Sequence, residues 1–327
     1  MPERGLIVGK FYPPHRGHKY LIDFGASQVD ELTVIICQKP GESPPGSLRA
    51  AWLREIHPEV NVLLIDDTYD EQDSRVWAEN SIRWLGAAPD VVFTSEDYGE
   101  RFAHFLGCRH IQVDRARQVV PVSGTKVRSA PLECWEYLEP PVRGWYAKRI
   151  CLVGAESTGK TTLAQMLARH FQTIWVPEYG REYTAQKLAR EGGYFWRSEE
   201  FAHIAQTQCE REDEAARRAN KVLICDTNAF ATSVWHRRYF GERSPEVEKI
   251  AAAHRRPDLY MLTDVNTPFV QDGTRDGESI RQWMHQAFID ELTEQQHPFV
   301  FLSGSTQARV ALAVDWIDEL VEVDGLF

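Results

Sequence analysis

One stretch limits what this chain can fold into more than any other. Gly154-Ala-Glu-Ser-Thr-Gly159-Lys160-Thr161 matches the spacing GxxxxGK[ST] at every fixed position, follows the apolar run RICLVG and opens a helical pattern. Glycines at these positions let the backbone wrap a phosphate group, so that successive N–H groups and the helix N-terminus face negative charge. Glu156, Ser157, Thr158 and Thr162 complete the expected ATP-binding turn. Lys160 is expected to reach the β- and γ-phosphates and Thr161 to ligate Mg²⁺.

A strand-loop-helix of this kind needs a parallel sheet around it, and the second half of the chain supplies one. RICLVG, TIWVPE, KVLICD, DLYMLTD and FVFLSG are five apolar runs alternating with helical patterns, which predicts a doubly wound α/β domain. Helices are expected over 160–170, 198–219, 244–254, 279–294 and 306–321. In such sheets ligands bind beyond the C-terminal ends of the strands. Asp226 ends KVLICD and is a candidate magnesium-side acid, with a helix N-cap as the alternative. Glu178 follows TIWVP within PEYGREY and is a candidate for orienting an acceptor hydroxyl or taking its proton. Arg181 and Glu182 lie beside it as substrate-binding candidates, with surface charges on a helix start as the alternative. Arg275 and Arg281 in DGTRDGESIR suit a lid that closes on a transferring phosphoryl group.

The first half has the same rhythm: GLIVGKF, a helix over 18–29, then LTVIIC, NVLLID and PDVVFTS with helical segments between them. The Pro-containing stretch LEPPVRGWYAKR marks a boundary, giving domains 1–143 and 144–327. At the first strand-helix junction, Gly9-Lys10-Phe11-Tyr12-Pro13-Pro14-His15-Arg16-Gly17-His18 places two histidines three apart, on one helical face. Imidazole N–H groups there can donate to a phosphate beside the positive end of the helix, and Gly17 lets a nucleotide approach the backbone. Far downstream, Ser123, Thr125, Lys126 and Arg128 in VSGTKVRS offer hydroxyls and cations at another helix start. The two segments together would clamp a phosphorus that gains charge in the transition state.

Composition excludes several classes. Lys and Arg number 37 against 48 Asp and Glu, a net charge of −11, so a nucleic-acid partner meets repulsion. No run approaches the roughly 18 to 20 apolar residues of a membrane span, and no signal-peptide pattern opens the chain. A cytoplasmic protein without membrane insertion is expected, and a homo-oligomer is compatible with it. Cys37, Cys108, Cys134, Cys151, Cys209 and Cys225 stand singly and read as reduced core thiols.

HRGH after GKFYPP, with SGTKVRS downstream, resembles the HxGH and SxTxxR signatures of the nucleotidylyltransferase superfamily. The whole arrangement, with the GxxxxGKT domain, VPEYGREY, the DGxRDG segment and TSEDYGERFA (Thr94–Ala103), resembles the bifunctional NadR family. The resemblance implies an HxGH Rossmann-like nucleotidylyltransferase domain followed by a P-loop kinase domain. It implies nicotinamide riboside phosphorylation in the second and adenylyl transfer from ATP to nicotinamide mononucleotide (NMN) in the first, giving NAD and pyrophosphate, both with Mg²⁺. By motif, His15, His18, Lys10, Thr125 and Arg128 would bind ATP phosphates or stabilise the transition state, with Gly9, Phe11 and Tyr12 in the same ATP-binding segment. Because HxGH begins at residue 15, the helix-turn-helix domain of some family members is expected to be absent.

A planar, cationic pyridine calls for aromatic partners: Trp77 or Trp84 in the first domain, Tyr183 or Trp235 in the second. Two other readings share the generic motifs. One is a phosphopantetheine adenylyltransferase fused to a dephospho-coenzyme A kinase; the other is a nucleotide-sensing protein with one inactive domain. PEYGREY and TSEDYGERFA favour the nicotinamide reading by resemblance.

Overall fold

A computed structural model describes residues 2–70, 73–191, 195–266, 268 and 278–323. The chain divides into two compact units, one up to Val142 and one from Arg143 onward. The Pro-containing boundary stretch is not extended: Pro140–Tyr146 is a helix, since Pro140 stands at its first position, where no N–H is needed.

In the first unit five parallel strands, β1 (Arg4–Gly9), β2 (Glu31–Gln38), β3 (Asn61–Asp66), β4 (Val91–Thr94) and β5 (Arg109–Gln112), lie in the order β3-β2-β1-β4-β5. The order reverses beside β1, and that switch point places the β1-helix turn, with its two histidines, at the C-terminal edge of the sheet. Leu6, Ile7, Val34, Ile35, Ile36, Val92 and Phe93 are buried, so β1, β2 and β4 carry apolar residues on both faces, as a covered parallel sheet requires. The edge strand β5, RHIQ, has no fully buried residue and gave no apolar signal in the sequence.

The second unit holds β6 (Lys148–Val153), β7 (Trp175–Val176), β8 (Val222–Asp226), β9 (Leu259–Thr263) and β10 (Phe299–Leu302), all parallel, in the order β10-β9-β6-β8-β7. All five apolar runs become strands. Two helices were not expected. Tyr179–Glu191 is charged on most of its surface and reads as loop, while Ala229–Phe240 is buried around most of its circumference and lacks an amphipathic period. Five of the six cysteine thiols are buried and all six are free, as core thiols should be.

Candidate functional sites

The turn after β6 is shaped by its glycines. Gly154 has φ +140° and a Cβ there would lie 2.5 Å from the Thr263 hydroxyl; Gly159 has φ +86°. Thr158 Oγ1 donates to the Ala155 carbonyl at 2.8 Å and shares a 2.7 Å hydrogen bond with Thr263. Lys160 begins the helix Lys160–His170 and folds its ammonium back over the turn, donating to the carbonyls of Gly154 and Ala155 at 2.9 and 2.8 Å. The turn is therefore closed on itself with the lysine across it. Burial pulls the Lys160 pKa below its usual value, while the carboxylates of Glu178 and Asp226 pull it back up. Arg309, which the sequence did not single out, is buried and holds the turn from outside, donating to Thr158 O at 2.9 Å and Gly304 O at 3.0 Å.

Asp226 stands at the end of β8, where Thr161 Oγ1 donates to its Oδ2. Its Oδ1 is buried with no hydrogen-bond partner among the described residues. The Asn228 side chain caps the following helix at the Ala231 N–H, so Asp226 is not the N-cap. Beyond the turn opens a cavity whose wall includes Glu156, Lys160, Glu178, Arg181, Thr227 and Gln208, with Trp196, Trp235 and Tyr239 as its aromatic side. Trp235 stacks with Tyr239 at 6.4 Å between centroids, and Trp196 lies 5.7 Å from Tyr239. Glu178 is 3.7 Å from Arg181; burial raises its pKa against the pull of Lys160.

The structure separates the other expected residues from this cavity. Glu182 pairs outward with Arg211 at 2.6 Å, because it lies on the opposite side of its helix from the cavity wall. Tyr183 donates its hydroxyl to Glu200 at 2.9 Å and stacks behind Trp196, so Trp196 faces the cavity in its place. Thr162 is exposed on the helix. Arg281 is buried and donates to Val265 O at 3.0 Å, fixing the chain that leaves β9. Arg275 lies outside the described residues. Trp196 carried no sequence signal, being one tryptophan of ten.

In the first unit the helix Arg16–Ala26 begins two residues earlier than expected because His15 is its N-cap. His15 Nδ1 accepts from the N–H groups of Gly17 at 3.1 Å and His18 at 3.4 Å. With Nδ1 an acceptor, the neutral ring must carry its proton on Nε2, which makes the far side a donor. Burial, then the Arg117 charge, lowers the His15 pKa to about 4, and burial also pulls His18 well down. The two rings stack at 3.7 Å as neutral imidazoles. Gly17 serves this geometry directly: a Cβ there would stand 3.0 Å from two atoms of the His15 ring.

The two motifs meet through Tyr12. Arg128 donates to the Tyr12 carbonyl and, at 3.2 Å, to Thr125 Oγ1. The guanidinium groups of Arg128 and Arg49 both lie 4.9 Å from the Tyr12 ring, whose hydroxyl accepts from the Ser43 N–H at 3.0 Å. Tyr12, half-buried, is thus a spacer, and the Phe11 ring is buried against His18 at 4.9 Å, which leaves Phe11 only its backbone for a nucleotide. Gly124 is needed because a Cβ would lie 3.2 Å from the Tyr12 carbonyl. Arg49, fully buried and bonded to Lys10 O and Glu42, was missed; on a helix it reads as an ordinary surface cation. Ser123 caps the helix Gly124–Ser129 at the Lys126 N–H, and the Thr125, Lys126 and Arg128 side chains are exposed.

Gly9 and Lys10 also border a second cavity with Asp67, Trp77, Tyr98 and Phe102. Trp77 shows it one edge while its Nε1 donates to Asp70 O at 3.0 Å, and Trp84 packs behind it. Tyr98 donates to Val8 O at 2.9 Å. Gly99 is required because a Cβ would collide with Thr94 Oγ1 and His110 Nε2, which are hydrogen-bonded at 2.9 Å. The segment SEDYG thereby acquires a structural reason.

Among the described residues no helix is long and apolar enough to cross a membrane, and no group of three His, Cys, Asp or Glu is placed to hold a metal. A family model described as "AAA domain" matches residues 149–309. The trifunctional NAD biosynthesis/regulator protein NadR of Escherichia coli (strain K12) is 30% identical over 317 residues, covering 90% of this chain and 77% of that protein. The protein of the same name from Salmonella typhimurium is 29% identical, covering 98% of this chain and 84% of its own length. A crystal structure of NadR protein in complex with NR superposes with a TM-score of 0.80 at 21% identity, over 98% of this chain and 96% of that one.

Proposed function

This chain belongs to the NadR family, and from that premise we infer that it makes NAD in two ATP-dependent steps: phosphorylation of nicotinamide riboside in the unit from Arg143 onward, and adenylylation of NMN in the unit up to Val142. The observation that carries the kinase reading is the cavity in which Lys160, Glu178 and an aromatic wall face one another. Lys160 leaves the Gly154 and Ala155 carbonyls for the β- and γ-phosphates of ATP. Glu178, at the end of β7, orients the ribose 5′-hydroxyl and takes its proton as the oxygen bonds to the γ-phosphorus and ADP leaves. Burial raises its pKa, which strengthens it as a proton acceptor. The pyridine ring lies against Trp196, Trp235 and Tyr239, where an aromatic face meets a cationic ring. Arg181 neutralises the Glu178 side of the cavity before the substrate arrives.

Mg²⁺ fits the pair Thr161 and Asp226: the buried Asp226 Oδ1 lacks a partner and the Thr161 hydroxyl is a hard oxygen donor beside it. When bound it would screen charge on the β- and γ-phosphate oxygens.

In the first unit a phosphate oxygen of NMN attacks the α-phosphorus of ATP, and the bond to the bridging oxygen breaks to release pyrophosphate. The His15 Nε2–H and the Lys10 and Arg128 cations stabilise the oxygens that gain charge, the neutral His15 ring keeping its one N–H donor on the side away from the helix cap. Ser123, Thr125 and Lys126 flank the triphosphate. The pyridine of NMN is assigned to the cavity beside Trp77. A cytoplasmic setting would put ATP at hand, and the net charge of −11 disfavours a nucleic-acid partner.

A mass-resolved product assay with the purified chain, Mg·ATP and nicotinamide riboside tests the reading. NMN is expected first and NAD later. Neither product from folded protein would overturn it.

A further inference from the structure

We propose that Gln208 is the positioning residue of the kinase site, holding Glu178 in place by capping the neighbouring helix from outside, and that Glu212 fixes the direction of its amide. The proposal rests on the reading of Glu178 as the carboxylate that faces the acceptor hydroxyl.

The helix Tyr179–Glu191 starts immediately after Glu178, and its first N–H groups have no partner within the helix. Tyr179 is buried, so water does not serve its N–H. Gln208 Oε1, from the helix Ser198–Ala216, accepts from the Tyr179 N–H at 2.9 Å. Gln208 is itself buried and forms part of the cavity wall. One turn further along the same helix, Glu212 Oε1 accepts from Gln208 Nε2 at 3.2 Å. Each end of the amide therefore has one partner, of opposite hydrogen-bonding sense.

That pattern leaves the amide a single orientation. Turned over, it would set its NH₂ against the Tyr179 N–H and lose that bond whatever the charge on Glu212, whose pKa burial raises to about 7; against the ionised Glu212 its carbonyl oxygen would lose the second bond as well. An i, i+4 pair of buried polar side chains is an expensive choice for a helix that packs on a sheet. Leu or Met would fill the space at 208 but would leave a buried N–H unpaired beside Glu178. On its other side Glu212 faces a polar cluster: its Oε2 is 3.8 Å from His254 Nδ1, and His254 also meets Asp213 at 3.0 Å and Arg149 at 3.0 Å. The chain of contacts runs from this outer cluster through Glu212 and Gln208 to the backbone on which Glu178 is mounted. A shift of about 1 Å at a reacting group can cost roughly 10²-fold in rate, so a cap of this kind is felt in kcat.

The test is steady-state kinetics of riboside phosphorylation by the full-length chain, with adenylyl transfer and melting temperature measured on the same preparations. Gln208→Leu is expected to lower kcat about 30-fold, leave the KM for ATP within about twofold and leave adenylyl transfer unchanged. Gln208→Glu alone sets two carboxylates together and is expected to fall at least as far. The double variant Gln208→Glu/Glu212→Gln reverses the donor and acceptor at the inner bond while keeping an acceptor for the Tyr179 N–H, and is expected to recover kcat to within about threefold of the parent. A double variant no better than Gln208→Glu, or Gln208→Leu with undiminished kcat, would overturn the proposal. Glu178→Gln in the same assay separates the two ideas: full activity there removes the role of Glu178, whatever Gln208 does.

Discussion

In the second unit the proposed phosphate site is one continuous turn of chain from Gly154 to Thr161, whereas in the first the proposed site is assembled from Lys10–His18 and Ser123–Arg128, far apart in sequence. The turn closes largely on its own bonds, Thr158 to Ala155 and Lys160 to Gly154 and Ala155, with Arg309, Thr263 and Asp226 as supports from outside. The assembled site has no such closure. Its halves are joined across Tyr12 by Arg128, and Arg49 holds the near half at Lys10 O. A local motif thus brings its own geometry, while a split one borrows geometry from residues outside either signature. The two also differ in charge: one offers a buried ammonium, the other neutral imidazoles kept uncharged by burial.

Variants at the central donors break this comparison most severely. Lys160→Ala is expected to lower riboside phosphorylation roughly 10³-fold while adenylyl transfer from ATP to NMN continues at the parent rate; loss of both activities would dissolve the division of labour. His15→Asn is expected to lower adenylyl transfer about 10²-fold and spare the kinase. Asn keeps a short acceptor at the N-cap but not the far-side donor, so His15→Ala should lose the same activity and a further ~1 kcal/mol of stability, read by calorimetry. Equal stability of the two variants would contradict the capping role.

The neutral histidine has a consequence for pH. His15 titrates near 6.5 in the unfolded chain and at about 4 in the fold, so between those values the unfolded state binds the extra proton. The stabilisation is complete above about pH 6.5 and is lost as the pH falls toward 4, by up to about 3 kcal/mol. Melting followed across that window should show a shallower slope for His15→Asn; an unchanged slope would mean that the ring is not held neutral by the fold.

Legibility followed the same division. GxxxxGKT could be read because the glycines, Thr158 and Lys160 that close the turn lie within it, although Thr263 and Arg309, which brace it, do not, and Asp226 was singled out from its place at a strand end. The histidine segment was legible as a motif, but its reasons were not. Gly17 clears the His15 ring as well as leaving room for a nucleotide, and Tyr12 separates two arginines. Arg49, Arg309, Trp196 and Gln208 gave no signal, since a buried arginine or glutamine on a helix has the same local pattern as an exposed one. Glu182 and Tyr183 were assigned to the substrate although a helix start was the stated alternative, and for Glu182, paired outward with Arg211, that alternative is what the helix Tyr179–Glu191 supports.

The outside supports sharpen the contrast. Arg49→Lys replaces a fork that reaches both Glu42 and Lys10 O by a point charge that serves one of them. Adenylyl transfer is expected to fall about tenfold. Arg309→Lys removes one of several bonds on a turn that also closes on itself, and is expected to raise the kinase KM for ATP only about fivefold. The reverse order would mean that the turn depends on its neighbours more than its own hydrogen bonds indicate.

The smallest effect belongs to Gly17→Ala, and there stability and activity should part. Gly17 lies in the first turn of its helix and is not in a left-handed conformation, so alanine gains up to about 1 kcal/mol of helix propensity. The added Cβ meets the His15 ring at 3.0 Å, and the ring, held through Nδ1 and its stack on His18, gives way by a few tenths of an ångström. The melting temperature should therefore stay level or rise while adenylyl transfer falls about threefold. A variant that melts higher and works as well as the parent would show that the His15 ring has slack to spare, and that the tight placement of the split site resides in Arg128 and Lys10 instead.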